Sequence, residues 1–442
     1  MFKSSPSPLA SIIQQNAESF DQIDAADLSS LLSRIGDSKL VLLGEATHGT
    51  SEFYRMRAHI SKALIIHKGF NFIAAEADWP DASLVNRYIC RTEESAKVIP
   101  EPAFTRFPVW MWRNQEFLHL VEWLRIHNHS IQDSKKQVEF FGLDIYSLYR
   151  SIAAVVEHLD KIDPELGHMA RRYYGCLAPW QEEPSHYGAA FKSGRYKGCE
   201  EEVLTVLHEI FKKQMTDHAF SQRSFLDTAQ NARLVANAER YYRTMYSSIH
   251  SSWNLRDQHM FETLQTLLSF KGKDSKGIVW AHNSHIGNAS ATDMKKRGEF
   301  NIGQLCREQF GEDAYSIGFG THEGTVAAAS EWNEPMEIKQ VRPSMEGSYE
   351  RIFHSTRIPI FMLPLRSEHQ EEVRNALSAS HLERAIGVIY QPETEYWSHY
   401  FSAHLPQQFD EYIWFNQTTA ITPLAQTPST TDALPDTYPF GL

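Results

Sequence analysis

Short apolar runs alternate with longer amphipathic stretches along most of the chain. This is the pattern of an α/β protein, with helices flanking a largely parallel central sheet. The runs predicted as strands are Lys39 to Leu43, Asn71 to Ala75, Val138 to Gly142, Gly277 to Ala281, Ala314 to Phe319, Ile358 to Leu363 and Ala385 to Tyr390. Several are apolar at consecutive rather than alternating positions, as expected of strands covered on both faces. Helical periodicity fills the intervals: Ser51 to His67 after the first strand, Asp81 to Cys90 and Asn114 to His127 after the second, and Ser147 to Asp160 after the third. From about Pro164 to Phe270 no strand pattern is found and long helical patterns follow one another. Residues 164–270 are read as a helical insertion, a subdomain or lid, within a single domain spanning residues 1–442. From Thr418 the chain is rich in Thr and Pro and reads as irregular or mobile.

Four of the proposed strands run directly into a carboxylate or a histidine: Gly44 into Glu45, Ala75 into Glu76, Leu143 into Asp144 and Ala281 into His282. The carboxyl ends of parallel strands share one edge, and ligands bind in the crevice outside it. The four groups are therefore expected to converge, although each alone fits a helix cap or a loop ion pair.

The densest segment is Gly44-Glu45-Ala46-Thr47-His48-Gly49-Thr50-Ser51-Glu52, followed by Arg55 and Arg57. Its glycines bracket a tight turn where positive φ is available, and His48 is thrust into the crevice. Glu45, three residues earlier, is placed to orient the imidazole for general-base work near neutral pH. Thr50 or Ser51 reads as a helix cap, and Glu52 as a favourable first-turn charge. One of Arg55 and Arg57 faces the crevice. In Trp280-Ala281-His282-Asn283-Ser284-His285 the two histidines are available as metal ligands or as acid–base and oxyanion groups. Arg256 and Asp257, at the far edge of the insertion, are in reach of the sheet.

Composition narrows the chemistry. With 43 Lys and Arg against 55 Asp and Glu, the formal net charge is −12, which opposes nucleic-acid binding. The 21 histidines contrast with 4 cysteines, Cys90, Cys176, Cys199 and Cys306, whose wide spacing argues against a disulfide framework or thiolate zinc. No G-x-S-x-G elbow, H-E-x-x-H helix or phosphate-binding glycine loop is present. No apolar stretch suits a signal peptide or membrane span, so the chain is expected to be soluble and cytoplasmic.

Taken together, Gly44 to Phe53, Glu76-Ala77-Asp78, Phe107-Pro108-Val109-Trp110-Met111-Trp112-Arg113-Asn114, Gly142-Leu143-Asp144, Trp280 to His285 and Asp432 to Leu442 resemble the erythromycin esterase family, from about residue 27 to the C-terminus. The resemblance implies a carboxylic ester hydrolase that opens the lactone of macrolide antibiotics and confers resistance, with histidine activating water and no covalent acyl-enzyme. It carries the base to His48, the supporting carboxylates to Glu45 and Glu76, and the second-motif histidine to His285. Arg57, Arg55, His282, Asp144 and Arg256 are the expected substrate-binding groups. The implied substrate is a small molecule, and no cofactor, nucleic acid or membrane partner is expected. Such a large apolar substrate makes Tyr173, Tyr174, Trp180 and Tyr187 candidates for the pocket wall, with ordinary packing as the equal alternative. Two other readings compete: a metallohydrolase holding one divalent ion with His48, His285, Glu45 and Glu76, acting on another ester, lactone or acyl compound, and a non-catalytic macrolide or polyketide binder.

Overall fold

The apolar runs come together as the interior of one sheet. The computed structural model describes residues 7–90, 103–181, 184–216, 222–246, 249–366 and 370–424. Its strands are β1 (Glu18–Ser19), β2 (Leu40–Leu43), β3 (Phe72–Asp78), β4 (Glu139–Asp144), β5 (Gly277–Trp280), β6 (Ala314–Ala328), β7 (Glu337–Val341), β8 (Ile360–Pro364), β9 (His381–Arg384), β10 (Tyr400–Ala403) and β11 (Glu411–Thr418). Nine of them form a sheet in the order β1-β8-β11-β6-β2-β5-β3-β4, with β7 paired to β6, while β9 and β10 form a separate ribbon. From β11 through β6, β2, β5 and β3 to β4 every pairing is parallel. Antiparallel pairs join β8 to β11, β1 to β8 and β7 to β6.

Successive side chains of a strand point to opposite faces, so a run apolar at every position needs two cores. Val41, Leu43, Ile73, Ala75, Ile278 and Trp280 enter one, beneath helices Ser51–Lys68 and Gln115–His129. Leu40, Leu42, Phe72, Ala74 and Val279 enter the other, against helices that follow β4. Each such buried Leu, Ile or Phe contributes about 1.5–3 kcal/mol by leaving water. Glycine ends the first of these helices: Gly69 takes a left-handed φ of 72° directly after Lys68.

Among the described residues between Pro164 and Lys271 there is no strand. The chain forms helices Pro164–Tyr174, Pro184–Lys192, Glu200–Thr216, Gln222–Thr244 and Ile249–Lys271. No helix of the described residues is long and apolar enough to cross a membrane.

Several expectations are revised. Ala385 to Tyr390 is not a ladder strand. Ile386 and Ile389 make isolated bridges to Thr47 and Ala329, so this buried run ties two loops together, and the strand lies just before it at β9. Strand β11, unforeseen because its apolar centre is flanked by charged and amide residues, occupies the middle of the sheet between β6 and β8. Beyond Thr418 the described residues are tethered, with Ala420 bridged to Thr50 and Pro423 to Asn114. The motif-like end, Asp432 to Leu442, lies outside the described residues. The cysteine spacing misled as well: helix packing brings Cys176 and Cys199 together in a disulfide, with Cα atoms 6.1 Å apart.

That bridge closes a loop across a sequence separation of 23, and restricting the unfolded chain in this way is worth roughly 3 kcal/mol. Full reduction, or the double Cys→Ser variant, is expected to lower the unfolding free energy in urea by about that much. An unchanged midpoint would show that the bridge adds nothing to stability.

Candidate active site

The loop after β2 is fixed by backbone hydrogen bonds from three separate segments. Ile386 N–H donates to Ala46 O (2.8 Å), and Ala327 N–H and Ile421 N–H both donate to Gly49 O (3.1 and 3.0 Å). Glycine is needed here for close approach. A Cβ at Gly49 would lie 1.9 Å from Ala327 O, and one at Gly44 would lie 2.2 Å from Asn283 Oδ1. Neither residue uses positive φ, which the turn had suggested.

Held in this loop, His48 Nδ1 lies 2.8 Å from Glu45 Oε1. The other Glu45 oxygen accepts from Arg57 Nη2. Arg57 is fully buried, its guanidinium 4.6 Å from the centre of the Tyr54 ring and 4.4 Å from that of Trp280. Arg55 points away: it is exposed and pairs with Asp24 at 2.6 Å. The hydroxyls expected as caps are used elsewhere. Thr50 Oγ1 bonds to Thr47 Oγ1, and Ser51 Oγ donates to Glu116 Oε1 at 2.7 Å. Glu52 accepts from Thr419 N–H at 2.8 Å.

A second charged group occupies the adjacent ends of β3, β4 and β5. Arg256, from helix Ile249–Lys271, donates to both oxygens of Asp144 (2.9 and 2.7 Å) and to Glu76 Oε1 (2.6 Å). His282 N–H supplies Glu76 Oε2 at 2.9 Å. His285 Nδ1 faces both Asp257 oxygens, at 2.9 and 3.0 Å, and its ring is stacked on Trp253, with centroids 4.6 Å apart and planes 6° apart. When this imidazole is neutral, with its proton on Nδ1, Arg256 Nη1 donates to Nε2 at 3.0 Å. When it is charged, Nε2–H faces Glu76 Oε1 at 3.4 Å.

Electrostatics follow from this packing. Burial works to raise the Glu76 carboxyl, but His285, Arg256 and His48 outweigh it and hold the group well below the usual carboxylate range. Burial also works against a charged His285, yet Asp257 and Glu76 raise it above an ordinary histidine. For His282, burial and the neighbouring His48 push the ring well below the usual value, so it stays neutral.

A cleft opens over these groups, with about 730 Å³ of open space counting its solvent-facing mouth. His48, Glu76, Asp144 and Arg256 line it. The His48 Nδ1 edge is taken by Glu45, and Nε2 has no hydrogen-bond partner among the described residues. Glu45 and Arg57 stand behind His48, and His285 and His282 behind Glu76; none of these four lines the cleft. His282 Nδ1 instead caps the short helix Asn283–Ile286 by accepting from Ser284 N–H at 3.2 Å. The four groups proposed as a metal ligand set do not surround one point, because Arg57 holds Glu45 and Arg256 stands beside both Glu76 and His285. Among the described residues no group of three or more His, Cys, Asp or Glu is placed to hold a metal ion.

The sequence left other participants unassigned. Asp257 was noticed without a role, and it is the carboxylate that orients His285. Asp81 lines the cleft, receives Phe104 N–H at 2.5 Å and pairs with Arg150; burial raises its carboxyl despite that arginine. Arg106, also in the lining, donates to Tyr146 O at 2.9 Å. The apolar part of the lining includes Phe107, Met111, Trp112 and Trp332. None of Tyr173, Tyr174, Trp180 and Tyr187 lines the cleft. These four pack inside or against the core formed with the helices after β4, and Tyr187 donates its hydroxyl to Glu239.

Comparison with known proteins agrees with this architecture. The family model for erythromycin esterase matches residues 65–418, a span that begins after the Gly44 to Phe53 segment. Erythromycin esterase type II of Escherichia coli is 22% identical over 395 residues, covering 83% of this chain and 92% of its own. A Bacillus subtilis (strain 168) protein provisionally named hydrolase YbfO is 20% identical over 429 residues, covering 92% of this chain and 90% of its own. A solved structure described as a succinoglycan biosynthesis protein shares the fold, with a TM-score of 0.76 and 21% identity over 96% of this chain and 100% of that one. The protein is a hydrolase of the esterase type, and the chain belongs to the erythromycin esterase family.

Proposed function

We propose that the protein hydrolyses the lactone ester of macrolides of the erythromycin type, with His48 as general base on water, and so gives macrolide resistance. The observation that carries this reading is the Glu45–His48 pair, whose ring lines the cleft with Nδ1 occupied. Glu45 accepts the Nδ1 proton and leaves the Nε2 lone pair for the nucleophilic water. As His48 takes one proton, the water oxygen forms a bond to the ester carbonyl carbon. Collapse of the tetrahedral intermediate breaks the bond from carbon to the alcohol oxygen, and His48 returns its proton to that oxygen. The products are an acid and an alcohol, with no covalent enzyme intermediate.

Glu76 and Arg256 form the charged floor beneath the attacked carbonyl. Both oxygens of Glu76 are already held, so it acts as a fixed negative charge that orders water. His285 acts through Glu76 and Arg256 from behind the floor. On this reading the chain is one catalytic domain, and the 164–270 insertion serves the site through Arg256 and Asp257.

Mass spectrometry of a macrolide panel incubated with the protein is expected to show addition of one water to erythromycin-type rings. Folded protein that leaves every macrolide intact would overturn the substrate assignment. His48→Ala is expected to lower turnover by about 10²–10⁴-fold with the fold retained, and turnover near that of the parent protein would remove His48 from the mechanism. Glu76 gives a separate test by stability. Its depressed pKa means that pairing stabilises the fold above the unfolded carboxylate value, about 4.3, and that this contribution is lost as pH falls below it. Glu76→Gln is therefore expected to cost about 3–5 kcal/mol at pH 7, with the deficit shrinking in acid. A deficit independent of pH would show that Glu76 is not held as a buried anion.

A further inference from the structure

The cleft is two-sided. Its charged groups come from strand ends, from the loop after β2 and from helix Ile249–Lys271, and its apolar groups come largely from loops. Phe107 belongs to the segment before the short helix Val109–Trp112, and Trp332 to the connection between β6 and β7. Their rings meet edge to face, with centroids 5.4 Å apart at 63°, and both side chains are half-buried. Two chain segments far apart in sequence thus close one apolar edge of the mouth.

Both segments are anchored to the machinery below. Tyr54, whose ring faces the Arg57 guanidinium, donates its hydroxyl to Met111 O at 2.6 Å and so fastens the Phe107 side. On the Trp332 side, Ala329 N–H donates to Val388 O (2.9 Å) and Tyr390 N–H to Ala329 O (3.1 Å). The same 385–390 run donates from Ile386 N–H to Ala46 O, two residues before His48. Val388 itself lines the cleft. Hydrogen bonds thus connect both segments of the apolar wall to the elements that carry Arg57 and His48.

We infer that Trp332, seated against Phe107, is a specificity-determining residue that selects esters with a broad apolar body and takes no part in bond making. This rests on the ester-hydrolase reading above and adds the feature of the substrate that is read. An indole half-buried at a cleft mouth has an apolar face to cover, and a large ring or long chain covers it where a short acyl group does not. Loss of such a contact discriminates between substrates by about 10–200-fold, through binding and not through the chemical step.

The test compares the parent protein with Trp332→Ala and Trp332→Phe on erythromycin and on p-nitrophenyl acetate and decanoate. With Trp332→Ala, kcat/KM for erythromycin and decanoate is expected to fall at least tenfold through KM, with acetate unchanged within twofold. Trp332→Phe is expected to recover most of the loss. A parallel measurement by calorimetry in the His48→Asn background follows binding of the intact macrolide and of decanoate. If erythromycin is never hydrolysed but decanoate binding weakens tenfold with Trp332→Ala, the specificity assignment holds and the macrolide assignment falls. Equal losses on acetate and decanoate, or no change in either kinetics or binding, would overturn the inference.

Discussion

A buried guanidinium organises the site. Arg256 is enclosed, and a charge removed from water must be matched by partners of good geometry. It meets Asp144 with two hydrogen bonds, Glu76 with a third and, when the imidazole is neutral, His285 with a fourth. Those partners leave the ends of three neighbouring strands, β4, β3 and β5, whose order in the sheet makes the meeting possible. A single long helix thereby locks its own position to the sheet edge. Removing any one partner would leave a buried charge short of compensation, which is why the cluster has to be assembled as a unit.

The same logic is repeated at β2 with different surroundings. Among the described residues Arg57 has only Glu45 as an ionic partner, and the rest of its charge is met by the ring faces of Tyr54 and Trp280. Each arginine holds a carboxylate, and each assembly contains a histidine whose Nδ1 is claimed by an acid: Glu45 for His48, Asp257 for His285. The two assemblies differ in access. His48 reaches the cleft, whereas His285 is covered by Trp253 and screened by Arg256 and Glu76. Two histidines that look equivalent as letters are separated in access by what lies over them.

The floor of the site was legible in the sequence because strand ends carry a local signature. An apolar run that stops at Glu45, Glu76 or Asp144 gives both the strand and the direction of the polar group. Helix phase was harder to read. Arg55 and Arg57 differ by two positions on a helix, and nothing local says which of them meets Glu45; the aromatic slot that decides it is formed by Tyr54 and a distant Trp280. The role of Asp257 and the union of Cys176 with Cys199 depend on how helices pack, and no spacing encodes that. The run Ala385 to Tyr390 shows the opposite failure, with a true signal of burial misassigned to a ladder. Its backbone serves two loops in turn, Ala46 at one end and Ala329 at the other.

Floor and wall are thus under different physical constraints. The floor consists of buried ions, each satisfied by several others, so that one substitution disturbs the whole network and little variation is tolerated. The wall is made of loop side chains that touch one another through apolar edges, where shape can change at modest cost. A densely paired charged floor beneath a wall of loop side chains therefore places the tighter physical constraint on the strand ends and the looser one on the loops.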